Sequence, residues 1–107
     1  MENSNLIRLK KVYDELFSKG FDLNQPMQWN FYFLSKEKTL LDKVIEELKG
    51  FEYSFIINKK DNYYRLIASK TEVLAPEKLN NRITAFHELA EFVGIDSFDG
   101  WDVEYAS

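Results

Sequence analysis

His87 is the only histidine in the chain, with Glu88 beside it and Glu91 four positions on. On a helix, side chains four apart share a face, so His87 and Glu91 could pass a proton or offer two ligands to a metal. A zinc centre needs several convergent nitrogen or sulfur ligands, and the sequence has no second histidine and no cysteine to complete one. Asp96, Asp99 and Asp102 recur at intervals of three and could supply oxygens to calcium or magnesium, but that spacing matches no dedicated cation loop. Solvated surface charge accounts for both sets. No serine sits in a Gly-x-Ser-x-Gly elbow. Gly20, Gly50, Gly94 and Gly100 stand singly where elements end, not in a phosphate-binding loop. These residue types predict a chain that is not an enzyme, with no catalytic residue, no cofactor and no metal.

Recognition chemistry is better supplied. Aromatic residues make up 16% of the chain, and strands rich in them can stack bases. Tyr32, Tyr53, Tyr63 and Tyr64 could form such a platform, with Lys59, Lys60, Arg65 and Lys70 providing positive charge. Against this, Tyr63-Tyr64-Arg65-Leu66-Ile67-Ala68 lacks the glycine of RNA-recognition strands, and the net charge is −4, the wrong sign for displacing counterions from phosphates. Direct nucleic-acid binding is therefore not expected. If Trp29, Phe31 and Phe33 face the helices, then Asn30, Tyr32, Asp102 and Glu104 share the opposite sheet face. An acidic surface bearing a tyrosine suits a protein partner, so these four form the candidate partner-binding face.

The elements that must position these residues follow from periodicity. Leu6, Leu9, Tyr13, Leu16 and Phe17 recur at three and four, predicting a helix over Asn5–Lys19 capped by Asn3 or Ser4 and stopped at Gly20. A loop through Pro26 leads to a strand, Met27–Leu34, whose alternate residues Trp29, Phe31 and Phe33 line one side. Ser35 reads as the N-cap of a second helix to Lys49, with Leu40, Leu41, Val44, Ile45 and Leu48 inward. Phe51–Asn58 and Tyr63–Thr71 predict a hairpin around Lys59-Lys60-Asp61-Asn62. Pro76 opens a third helix carrying Leu79, Ile83, Phe86, Ala90 and Val93, widened by Leu89 and Phe92. Trp101, Val103 and Tyr105 alternate in a last short strand. The order predicts one α+β domain over 1–107: an N-terminal helix (1–20), then a ferredoxin-like βαββαβ two-layer sandwich (26–107) with an antiparallel sheet. Without cysteine, a signal-like apolar core near Met1 or a membrane-length apolar run, a cytoplasmic chain with no membrane contact is expected, monomeric or a weak homodimer.

The stretch Leu89–Val103, and within it Phe98-Asp99-Gly100-Trp101, resembles the end of the regulator of ribonuclease E activity B family. Lys19-Gly20-Phe21-Asp22 and the aromatic strand Trp29–Phe33 are similar in layout. The resemblance implies a ferredoxin-like fold and a non-enzymatic protein that binds a degradative endoribonuclease and lowers its activity on messenger RNA. Phe98-Asp99-Gly100-Trp101 itself predicts a structural turn, with Gly100 permitting a tight backbone, Asp99 accepting backbone donors and Trp101 entering the core. An immunity or antitoxin protein, or a small-molecule sensor with its pocket between sheet and helices, would share this pattern.

Overall fold

Residues two apart on a strand point the same way, so Trp29, Phe31 and Phe33 must leave water together or not at all. In the computed structural model, which describes residues 4–106, all three are fully buried on strand β1 (Met27–Ser35). Around it the chain forms α1 (Ser4–Ser18), α2 (Lys38–Leu48), β2 (Ser54–Lys59), β3 (Tyr64–Glu72), α3 (Pro76–Val93) and β4 (Ser97–Tyr105). The four strands form one antiparallel open sheet in the order β2-β3-β1-β4. β1 is central, so its rings find partners on both sides: Phe31 lies opposite Ala68 and Trp101, and Phe33 opposite Leu66 and Phe98.

One layer of helices covers this face. Leu41, Val44 and Leu48 of α2 and Leu79, Phe86 and Ala90 of α3 join the three rings in a single buried cluster. Phe86 meets Phe31 edge-on at 5.0 Å, the arrangement that ring quadrupoles favour. α1 packs alongside α3 in that layer: Leu9 is buried, and the Tyr13 ring stacks on Trp29 at 6.1 Å. The Tyr13 hydroxyl donates to the Leu74 carbonyl (2.8 Å), and Trp29 Nε1 donates to the Glu72 carbonyl (2.9 Å), so both buried polar tips are satisfied. Among the described residues no helix is long and apolar enough to cross a membrane.

Several expected boundaries move, each for a local reason. Asn3 lies outside the described residues. α2 begins at Lys38 with Glu37 in the cap position, and Ser35 acts two residues earlier, its Oγ accepting from the Glu37 N–H at 3.1 Å. β2 starts at Ser54 rather than Phe51, because Leu48–Phe51 is a type II turn: Lys49 is extended, Gly50 has φ 89°, and the Phe51 N–H reaches the Leu48 carbonyl. Phe17 and Phe92, assigned to buried stripes by their spacing, are 69% and 77% exposed.

The largest correction concerns β4. Phe98-Asp99-Gly100-Trp101 is not a turn before the strand but lies inside it. Phe31 pairs with Trp101 and Phe33 with Phe98, so Asp99 and Gly100 together stand opposite Tyr32, a β-bulge. Phe98 and Trp101 are three apart and would face opposite sides of an unbroken strand. The extra residue returns Trp101 to the core side, and Gly100, at φ 96°, supplies the left-handed backbone this needs. Gly100→Ala should therefore lower the unfolding free energy by about 1–2 kcal/mol in urea denaturation. Asp99→Ala, which leaves the backbone unstrained at an exposed position, should change it by no more than about 0.5 kcal/mol.

Candidate functional site

Three helices on one side leave the other sheet face uncovered by any described element, and strand alternation decides what stands there. β1 presents Gln28, Asn30, Tyr32 and Leu34; β3 presents Arg65, Ile67, Ser69 and Thr71. Pairing across the sheet aligns Ile56, Ile67 and Tyr32 in one apolar row, and Ser69, Asn30 and Asp102 in a polar row beside it. Ile56 is 58% exposed.

The polar row is a closed set of hydrogen bonds. Asn30 Nδ2 donates to Asp102 Oδ1 (2.7 Å), and the Tyr32 hydroxyl donates to Asp102 Oδ2 (2.5 Å). The Asn30 carbonyl oxygen accepts from Ser69 Oγ (2.6 Å) and from Gln28 Nε2 (3.0 Å). Gln28 Nε2 also donates to Glu104 Oε1 at 2.8 Å. Each member thus fixes its neighbour's rotamer, and the Asp102 carboxylate has a donor on both oxygens. Beside it the Arg65 guanidinium lies over the Tyr32 ring, 5.0 Å from its centroid, while its Nε has no hydrogen-bond partner among the described residues. Partial burial, the hydrogen bond to Asp102 and the Asp102 charge push the Tyr32 phenol up to about 12; Glu104 adds to this and Arg65 opposes it.

Asn30, Tyr32, Asp102 and Glu104 therefore do share one face. Their exposures differ: Asp102 and Glu104 are exposed and Tyr32 half-buried, but Asn30 is only 5% exposed. Asn30 is largely withdrawn from the surface, its amide nitrogen donating to Asp102 and its amide oxygen accepting from Ser69 and Gln28. Arg65, named from the sequence only as positive charge for a base-stacking platform, belongs to the same surface, as do Ile56, Ile67 and Ser69, which sequence reasoning missed. Only the cross-strand register brings them beside Tyr32, and alternation within β1 and β4 carries no trace of it.

Other candidates are dispersed. His87 is exposed on α3 with its ring edge against Phe98 at 5.1 Å, and Glu88 and Glu91 are exposed. Asp96 accepts the Lys36 N–H (2.7 Å), Asp99 sits in the bulge and Asp102 faces Tyr32. Among the described residues no three His, Asp or Glu side chains converge as a metal site would need. Of the four tyrosines named for base stacking, Tyr32 stands in a strand on the uncovered face, and Tyr64 pairs with Ser35 on the helical side. Tyr53 packs against Phe31 and Phe86 on the helical side, and Tyr63 is exposed at the hairpin. What remains can do recognition: fixed acceptors, one aromatic–cation pair and an apolar row.

A family model described as Regulator of ribonuclease activity B matches residues 7–103. No curated protein matches the chain.

The phenol of Tyr32 makes the polar row sensitive to alkali. In the unfolded chain it ionises near its ordinary 10.0, and in the folded one near 12. Its contribution is therefore complete below pH 10 and is lost as pH rises to about 12. Urea midpoints measured across that window should fall less steeply for Tyr32→Phe than for the parent. Asp102→Asn should bring the Tyr32 titration, followed by ultraviolet difference absorbance against Tyr32→Phe, back toward its ordinary value.

Proposed function

This chain belongs to the regulator of ribonuclease activity B family, and from that premise we propose that it is a non-enzymatic, protein-binding regulator of a ribonuclease E-type endoribonuclease. The uncovered sheet face is the docking surface. The hydrogen-bonded unit Tyr32–Asp102–Asn30 carries this reading, because it holds a carboxylate and a tyrosine in place before any partner arrives. Interfaces draw their energy from Tyr and Arg anchors near an apolar centre, with charged groups around them. Tyr32 and Arg65 beside Ile56 and Ile67 have that composition, with Asp102 and Glu104 on the flank. The exposed carboxylates suit a basic or mixed-charge patch on the ribonuclease and would speed encounter with it.

The arrangement also supports assigning the sandwich to the ferredoxin-like class. Read from its other edge the sheet runs β4-β1-β3-β2, with a helix after β1 and another after β3, so each strand–helix–strand unit spans an intervening neighbour. In this class one sheet face is free by construction, which is where the proposed contact lies.

Cleavage of a fluorogenic RNA by a purified ribonuclease E-type enzyme tests the reading. The chain should slow cleavage in a dose-dependent way. Ile56→Asp and Glu104→Lys, both at exposed positions, should each weaken inhibition about tenfold or more, equivalent to about 1.4 kcal/mol of binding. Glu88→Lys on the helical side should inhibit like the parent. Unchanged cleavage at saturating chain, or equal inhibition by all the variants, would overturn the proposal.

A further inference from the structure

On the other side of the sheet, a groove of about 460 Å³ runs between the end of α2, the start of β2 and the first half of α3. Its apolar walls are Phe51, Tyr53 and Phe86, and its polar side is Lys70, Lys78 and Arg82. No carboxylate lines it. The chain as a whole carries a net charge of −4, so this is a local reversal of sign. Arg82 is held by Glu72 through a two-point ion pair, which balances its charge against the burial that opposes it. Lys70 and Lys78 have no carboxylate partner among the described residues. The Lys70 ammonium instead rests over the Tyr53 ring, 5.2 Å from its centroid.

The backbone bordering the groove is unusual. Glu52 has φ 70°, the one non-glycine residue in the left-handed region among those described. It follows the type II turn at Leu48–Phe51, and together these turn the Phe51 ring outward, 59% exposed at the rim. Strained backbone that presents a large apolar side chain to water is costly to keep for packing alone, and it concentrates at binding sites. The groove is more open than an enclosed cavity, which suits a peptide segment laid along it.

We infer that this groove is a second binding site, which takes an acidic peptide segment of a protein partner, anchored by an aromatic side chain. The anchor ring stacks among Phe51, Tyr53 and Phe86, and flanking Asp or Glu carboxylates neutralise Lys70 and Lys78. It is separate from the sheet face: the two surfaces lie on opposite sides of β1 and β3, and they select segments of opposite charge.

The test uses a short fluorescein-labelled peptide with one tryptophan between runs of aspartate and glutamate, followed by fluorescence anisotropy with the full chain. The acidic peptide should bind, and a counterpart with lysines in place of the acids should not. Lys78→Glu and Phe51→Ser, both at exposed positions, should each weaken binding about tenfold or more, with far-ultraviolet circular dichroism unchanged. Lys70→Glu combined with Lys78→Glu should abolish it. Ile56→Asp and Glu104→Lys should bind the acidic peptide like the parent, so this site can fail while the sheet-face proposal stands, or the reverse. Equal binding of both peptides, or parental affinity in Lys78→Glu and Phe51→Ser, would refute the site. Thermal stabilisation by 4-phenylbutyrate without peptide binding would reassign the groove to small organic anions and overturn the peptide assignment.

Discussion

One constraint organises this molecule: β1 buries Trp29, Phe31 and Phe33 completely on one side. Because alternate residues of a strand face opposite ways, that burial places Gln28, Asn30, Tyr32 and Leu34 on the other. All three helices gather over the rings, and the same act leaves the second face bare. The surface proposed for ribonuclease docking is thus a by-product of where the core had to be. Fully burying such aromatic side chains contributes on the order of 2–3 kcal/mol each, far more than any surface pair, so the facing of β1 is not negotiable.

The bare face is nonetheless ordered. Asn30 is nearly as buried as the core, yet it lies on the solvent side, covered by the side chains it binds. An amide removed from water must have its hydrogen bonds, and Asn30 has donors and an acceptor around it. It therefore positions Asp102. Tyr32 and Asp102 are tied together in turn, so little rotamer freedom remains to be lost when another surface docks.

The bulge in β4 links core and surface. Opposite Tyr32 the strand gains a residue at Asp99–Gly100, which lets both Phe98 and Trp101 reach the core. Past the bulge the alternation restarts in the phase that puts Asp102 and Glu104 on the bare face. A strand continuing in the phase of Phe98 would instead set those carboxylates on the core side, opposite Trp29 and Met27. The four residues that carry the family resemblance are thereby a register device, and the acidic edge of the candidate surface depends on them.

The sequence alone was enough for the seven elements and for the side of β1 that faces inward, because periodicities of two and of three to four record which residues meet the core. It also placed Tyr32, Asp102 and Glu104 together, since alternation in β1 and β4 is local information. It misplaced the start of β4, because a glycine that ends elements elsewhere in the chain here sits inside one. Phe17 and Phe92 repeat at helical spacing yet are exposed, since spacing names a face and not what covers it. Only the folded structure brought Ile56 and Ile67 beside Tyr32, laid the Arg65 guanidinium over its ring, and set Phe51, Lys70 and Lys78 around one groove. Those neighbours come from strand register and helix placement, which are set by contacts between residues far apart in the chain and leave no mark on any one segment.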